Sequence, residues 1–403
     1  MNTDMTEKSI LDYFGSADQP QRLYCGLCER LMHLDFVQFK ENITGVQFEI
    51  EGVPALRCNC GNLEWPDRSK FAIVELHRKA IEKGNNRVTV TRNKPNKTYA
   101  FSKVPFEYDS DDYENIPGLQ RPWDEGFLTP VFFKRDALLK FEHHPNYEVS
   151  FASATYGTIY SSKPRFYISF GINENGLLVM WLGDIAKLPE TEQYYLRSEN
   201  VPSDHHIGSE FYEGQIEVKF TEEAPENKIF RLRSELNEAS RGFLGFPIFQ
   251  VSGEVLDSAR QVRDPVFDTK ASRAQVAQAL NDVYVESLET NHLKNHLKAQ
   301  GLDVSKVKGI KALEQLMITL GYSGDLRDLM KPFYLIYDLR VSQSHLMSAI
   351  SRRDKVRSVS ARLGLDEEAT FSDIYVKLRS DLDETLVIME ATIRGRSPKT
   401  SQR

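Results

Sequence analysis

The sequence predicts a multidomain α+β protein with a small cysteine-bearing module at the amino terminus, a β-rich middle region and an all-α carboxyl-terminal bundle. Three observations carry this. All four cysteines fall between residues 25 and 60 of a 403-residue chain. Short strand-like segments dominate as far as about Thr221, and from Ser272 onward apolar residues recur at spacings of three and four. With 40% apolar and 27% charged residues, the composition is that of folded globular domains and excludes a mainly disordered or collagen-like chain. The expected regions are 1–83, 84–250 and 251–403. No apolar run approaches the roughly 18 residues of a membrane span. The amino terminus lacks a basic segment followed by an apolar one, so a cytoplasmic location is expected.

The first region is defined by Cys25 and Cys28 in YCGLC and by Cys58 and Cys60 in CNCG. In a reducing compartment, two close pairs of thiols suit the tetrahedral sulfur shell of zinc better than they suit disulfides. LMHLDFVQF and GVQFEIEG read as strands between the pairs, with Gly26 and Gly61 at the tight turns a knuckle needs. The pattern resembles a zinc ribbon, with one spacer residue in the second pair where two are commoner. Four thiolates close the shell, which implies one structural zinc per chain and no catalytic metal. His33 is a spare donor nearby.

Residues 64–83 carry helical periodicity and complete the zinc-ribbon module, and Arg87–Arg92 reads as a strand. The acidic stretch from Glu107 to Gly126 reads as a surface loop or linker. FYISFGIN and LLVMWLGD, joined by Glu174, Asn175 and Gly176, read as a hairpin, and a helix is expected near Asn227–Ser240. Two polar clusters stand out here: Glu142, His143 and His144; and Asp204, His205 and His206 with Glu210. Neither has HExxH spacing or a recognisable nucleophile partner, and adjacent histidines on a strand face opposite ways. The region is therefore read as regulatory or sensing. The chain contains no Walker loop, GxGxxG or GxSxG, so nucleotide hydrolysis and serine-hydrolase chemistry have no support.

In the last region, residues 272–300, 308–320, 332–350 and 370–394 read as helices, with Gly301, Gly321 and Gly364 at their ends and Pro332 in a first turn. On the third, Ile336, Leu339, Gln343, Leu346, Met347 and Ile350 form a core-facing stripe. Tyr337, Ser344 and Ser348 lie opposite, with Val341 beside them. Arg340 and His345 border that face, roughly 140° apart around the axis and about 7.5 Å apart along it. Two such helices across a twofold axis would bring both pairs into one cleft.

This R-x4-H helix in an all-α domain resembles the HEPN superfamily, over about the last 130 residues. Val341 stands where many active members carry a polar residue. The resemblance implies a metal-independent endoribonuclease in which Arg340 and His345 are catalytic. It also implies an RNA substrate and a homodimer or higher even oligomer. The architecture looks like that of abortive-infection antiphage effectors, in which an amino-terminal part restrains the nuclease until a phage-derived trigger arrives. The basic run Arg352, Arg353, Lys355 and Arg357 would hold RNA phosphates. Residues 270–403 carry 21 Lys and Arg against 17 Asp and Glu, while the rest carries 30 against 41. The alternatives are a non-catalytic dimeric zinc-ribbon interaction protein and a nucleic-acid-binding regulator.

Overall fold

The computed structural model describes residues 14, 21–219, 223–266, 268–344 and 349–395, without the side chains of His143, Ser344, Ala349 and Arg352. The chain divides into two units, residues 1–222 and 223–403.

The first unit begins with a long hairpin, β1 (His33–Ile43) and β2 (Val46–Arg57), paired antiparallel with a register shift between Val37 and Phe39. Thr44 and Gly45 close it in the left-handed region, with φ of 48° and 86°. That is the backbone a two-residue hairpin turn demands. β3 (Leu63–Glu64) adds antiparallel to β2, and β4 (Arg87–Thr91) adds parallel to it after α1 (Asp67–Glu82). Phe39, Phe48 and Ile50 of the hairpin are buried in one cluster with Ile73, Val74 and Ala80 of α1.

Helix α2 (Ser110–Asn115) lies in the stretch that reads as a surface loop, yet all six of its residues are buried. The reason is electrostatic. Arg92 and Lys94 pair with Asp111, and Arg68, Lys94 and Lys97 pair with Glu114, so the acids enter the interior with their counter-ions.

A second sheet follows, antiparallel throughout. It contains β5 (Pro130–Phe133), β6 (Tyr147–Phe151), β7 (Tyr156–Ser162), β8 (Arg165–Ile172), β9 (Leu178–Trp181) and β10 (Asn200–Val201), in the order β10-β5-β9-β8-β7-β6. The expected hairpin is β8–β9. Short helices α3 (Leu139–His143), α4 (Leu182–Ile185), α5 (Glu190–Ser198) and α6 (Glu210–Gln215) fill the connections. One apolar cluster joins Leu23, Cys25, Met32, Leu34, Leu56 and Cys58 to Phe132, Trp181, Phe211 and Tyr212. The cysteine-bearing end of the hairpin thus shares its core with the second sheet.

The second unit is helical: α7 (Pro225–Leu244), α8 (Gly253–Ala259), α9 (Lys270–Asn281), α10 (Thr290–Ala299), α11 (Gly309–Thr319), α12 (Leu326–Ser344), α13 (Ala349–Leu363) and α14 (Phe371–Ile393). The helix expected near Asn227–Ser240 is α7 and belongs to this unit. The single helix expected over 272–300 is two, separated by a π-helical turn at Asp282–Glu286. The buried Arg233 donates to Val283 O and Ser287 Oγ, and Gln250 N and Glu289 N close a short ladder with Ser287 O and Ile248 O. Long-range partners thus satisfy the backbone where the helix breaks.

Helix α12 starts earlier than its sequence suggests, because Asp325 Oδ1 accepts from Arg327 N at 2.8 Å and caps it there. Pro332 consequently lies inside the helix, not in its first turn. Phe333, Ile336, Leu339 and Gln343 are buried as the helical stripe requires, whereas Ile350 is 75% exposed. Ile350 belongs to α13, so the phase of the stripe does not extend to it. Leu346 and Met347 lie outside the described residues. Among the described residues, no helix is long and apolar enough to cross a membrane.

Candidate functional site

The four cysteines come together. Cys25 Sγ lies 3.6 Å from Cys60 Sγ, Cys28 Sγ lies 3.4 Å from Cys58 Sγ, and all four sulfurs fall within 4.8 Å of one another. A tetrahedral metal with bonds of about 2.3 Å to sulfur would separate its ligands by about 3.8 Å, close to these values.

Each pair sits on a tight turn. In the first, Glu29 N and Cys25 N bond to Cys25 O and Arg30 O, and Glu29 takes the left-handed conformation at φ 59°. Gly26 was expected to make this turn, but its φ is not positive. In the second, Cys58 N bonds to Asn62 O, Gly61 N bonds to Cys58 O, and Gly61 has φ 93° as expected. Leu27 N and Asn62 Nδ2 donate to Cys25 Sγ, and Cys60 N donates to Cys58 Sγ. Such N–H to sulfur bonds favour thiolates. Burial opposes a charge on Cys25, but the N–H groups of Leu27 and Cys28 and the Asn62 amide bring it down to about 6. The Cys60 N–H favours the Cys58 thiolate, yet desolvation and the neighbouring thiols push Cys58 up to about 12. Four thiols this close cannot all ionise without a cation among them, and the donor set fits a structural metal ion.

A second polar centre in the same unit was read from the sequence only in part, through His205 of the cluster with Asp204, His206 and Glu210. His205 Nδ1 lies 2.7 Å from Asp112 Oδ1, and Ser203 Oγ donates to Asp112 Oδ2 at 2.6 Å. Asp112 is fully buried, which raises it, but the two donors favour its charged form. Burial disfavours charge on His205, and the Asp112 carboxylate outweighs it, holding the imidazole above its usual range. His205 itself is left-handed, at φ 64°. This turn sends His205 toward Asp112 while His206 Nδ1 meets Glu174 Oε1 at 2.5 Å. Glu210 accepts from Thr155 N and Oγ1 and anchors a turn. Of the other polar cluster, His144 is exposed and the His143 side chain is not described. Asp112 and Ser203 escaped sequence reading because they lie about 90 residues apart and match no motif.

The buried pair at α2 gives a stability prediction. Arg92 grips Asp111 with two bonds, of 2.8 and 2.5 Å, and Lys94 adds a third at 3.1 Å. Burial tends to raise Asp111, but these cations outweigh it and hold the carboxyl below its ordinary range. Its contribution is therefore complete at neutral pH. It is lost as the pH falls from the unfolded value of about 3.9 through the lower folded one. Arg92→Met is expected to cost the first unit about 2 kcal/mol at pH 7, discounted because Arg92 is partly exposed and Lys94 remains. The difference should shrink at acid pH. Urea unfolding followed by tryptophan fluorescence checks it cleanly, since Trp65, Trp123 and Trp181 all belong to this unit.

In the second unit, Arg340 is half-buried on α12 and its Nε donates to Gln278 Oε1 of α9 at 3.1 Å. Gln278 Nε2 in turn donates to Asp282 Oδ1 at 2.6 Å, and Ser258 Oγ donates to Asp282 Oδ2 at 3.1 Å. Two acids that could have paired with Arg340 are engaged elsewhere: Asp338 pairs with Arg362, and Asp373 closes a capping box with Thr370. An amide oxygen thus orients the guanidinium, and among the described residues no salt bridge neutralises it. His345 and Ser348 lie outside the described residues, as do the side chains of Ser344 and Arg352. Arg353 is exposed, Lys355 is intermediate, and Arg357 lies 3.7 Å from Glu367. No family model, curated protein or solved structure matches the chain.

Proposed function

We propose that the protein is a metal-independent endoribonuclease of the HEPN type, with Arg340 and His345 as its catalytic pair. The observation that carries this reading is the state of Arg340. It projects from an interior helix of an all-α unit, held by the Gln278–Asp282 relay and left without a carboxylate partner among the described residues. A guanidinium held this way is available to a phosphate. In the proposed reaction the imidazole of His345 accepts the proton of a ribose 2′-hydroxyl, whose oxygen attacks the adjacent phosphorus. The bond from phosphorus to the 5′-oxygen breaks, the leaving oxygen takes a proton, and Arg340 stabilises charge on the non-bridging oxygens. Arg353, Lys355 and Arg357, with Arg352, would guide the RNA backbone.

On the helical spacing of the sequence Arg340 and His345 would diverge, so the active form in this reading is a homodimer that pairs the face expected to carry Tyr337, Ser344 and Ser348. Tyr337 is 44% exposed in the single chain, as a residue of that face should be. In this reading the four cysteines hold one structural zinc, the first unit regulates the second, and the setting is cytoplasmic antiphage defence released by a phage-derived trigger. The rival reading, a non-catalytic dimeric interaction protein, draws support from the exposed Tyr337 and Ile350.

The test follows cleavage of single-stranded RNA by the full chain in EDTA, together with its mass by light scattering. The expected result is an even oligomer that leaves 2′,3′-cyclic phosphate and 5′-hydroxyl ends. An active monomer, or cleavage that survives His345→Ala, would overturn the proposal. A dimer whose expression in cells is no more toxic than that of Arg340→Ala would favour the interaction protein.

A further inference from the structure

We propose that His33, Glu174 and His206 form a second metal site in the first unit, one that takes a labile divalent transition-metal ion. The proposal does not depend on ribonuclease activity. The three residues come from distant parts of the chain: the first residue of β1, the turn between β8 and β9, and the loop after β10. Folding nonetheless brings one potential ligand atom from each within 4.8 Å of the other two. The rings of His33 and His206 lie 3.9 Å apart at 14°, and His206 Nδ1 already faces a Glu174 oxygen.

The surroundings are built to hold these ligands. Asp204 accepts from Asn173 Nδ2 at 2.8 Å, from Asn175 Nδ2 at 2.9 Å and from His206 N at 3.0 Å. Asn173, itself buried, also donates to His206 O at 2.8 Å and accepts from Leu177 N at 2.9 Å. The turn that carries Glu174 and the loop that carries His206 are therefore tied together. Leu34 N bonds to His205 O, joining β1 to the same loop, and Asn59 Nδ2 of the second cysteine turn reaches Glu174 Oε2 at 3.3 Å. Outer-shell bonds of this kind fix the orientation of metal ligands.

A simple imidazole–carboxylate hydrogen bond would need His206 and Glu174 alone. The His33 ring, half-buried against His206, makes no side-chain hydrogen bond among the described residues, so it is a nitrogen donor without another task. Two imidazoles and one carboxylate select a borderline ion such as Zn²⁺, Co²⁺ or Ni²⁺ over Mg²⁺ or Ca²⁺, which favour all-oxygen shells. Three protein ligands leave a position for water. Each nitrogen lone pair lies in its ring plane, so an ion shared by both rings must swing them out of the stack.

The test uses the full chain dialysed against zinc chloride at micromolar concentration, with metal per chain measured by elemental analysis. The wild type is expected to hold one more zinc than Glu174→Gln or His33→Gln, and affinity for that second equivalent should fall at least about 10-fold in each variant. Cobalt substitution supplies the control, because thiolate-to-cobalt absorption reports the cysteine cluster and should be unchanged in both variants. Retention of the wild-type stoichiometry by either variant overturns the proposal, and so does a wild type that takes up a single equivalent.

Discussion

Cys58→Ser is expected to abolish metal binding at the cysteine cluster and to unfold most of the first unit. Removing one of four thiolates breaks a shell whose apparent binding free energy in small zinc domains is about 10 to 16 kcal/mol. Such a loss is as large as the whole stability of an ordinary domain, about 5 to 15 kcal/mol. It cannot stay local here, because Cys58 is 2% exposed and belongs to the cluster that holds Leu56, Phe132 and Trp181. Elemental analysis should show the lost metal, and the tryptophan fluorescence of the first unit should resemble that of the unfolded chain. Acid should weaken the wild-type site as well, since Cys58, which burial and neighbouring thiols push up to about 12, must surrender its proton to the metal. Wild-type protein that remains folded after a strong chelator has removed its metal would sink this expectation.

The second large effect concerns the RNA cleavage proposed above. His345→Ala should lower the rate about 10² to 10⁴-fold, the usual share of general acid–base catalysis. Arg340→Ala should lower it by a comparable factor while leaving the helical unit folded, because the guanidinium meets a side-chain amide and is not part of the apolar stripe. Gln278→Leu separates orientation from chemistry. It leaves Arg340 in place but removes the acceptor of its Nε, so a smaller loss, carried mainly by kcat, is expected. Rates on a labelled single-stranded RNA, with far-ultraviolet circular dichroism as the control for folding, check all three variants.

What the sequence made legible was local. Two cysteine pairs, the two strands between them and the helical character of the chain after Ser272 are patterns whose physical cause lies within a few residues, and these are present where they were expected, though the helix boundaries differ. Helix α2 was missed because its six residues look solvated until Arg68, Arg92, Lys94 and Lys97 arrive from other segments. The break between α9 and α10 was missed for a similar reason, since the apolar period runs through it and only Arg233 and residues 248–250 make it affordable. The grouping of His33, Glu174 and His206, and of Asp112 with Ser203 and His205, is a product of topology that no spacing rule contains.

The shared core of the first unit also sets the order of events during synthesis. The β1–β2 hairpin and its four cysteines leave the ribosome about 150 residues before Phe211 and Tyr212, which complete the cluster around Leu34, Leu56 and Cys58. At roughly 5 to 20 residues per second, that interval lasts roughly 8 to 30 s. During it the nascent chain can bind a metal ion at the cysteine cluster, since all four thiols have emerged, while one apolar face still waits for its cover. A shortage of the metal these thiols take would then lengthen the period in which this face is open to chaperones and proteases, and the yield of folded protein should follow metal supply during translation more closely than metal supply afterward.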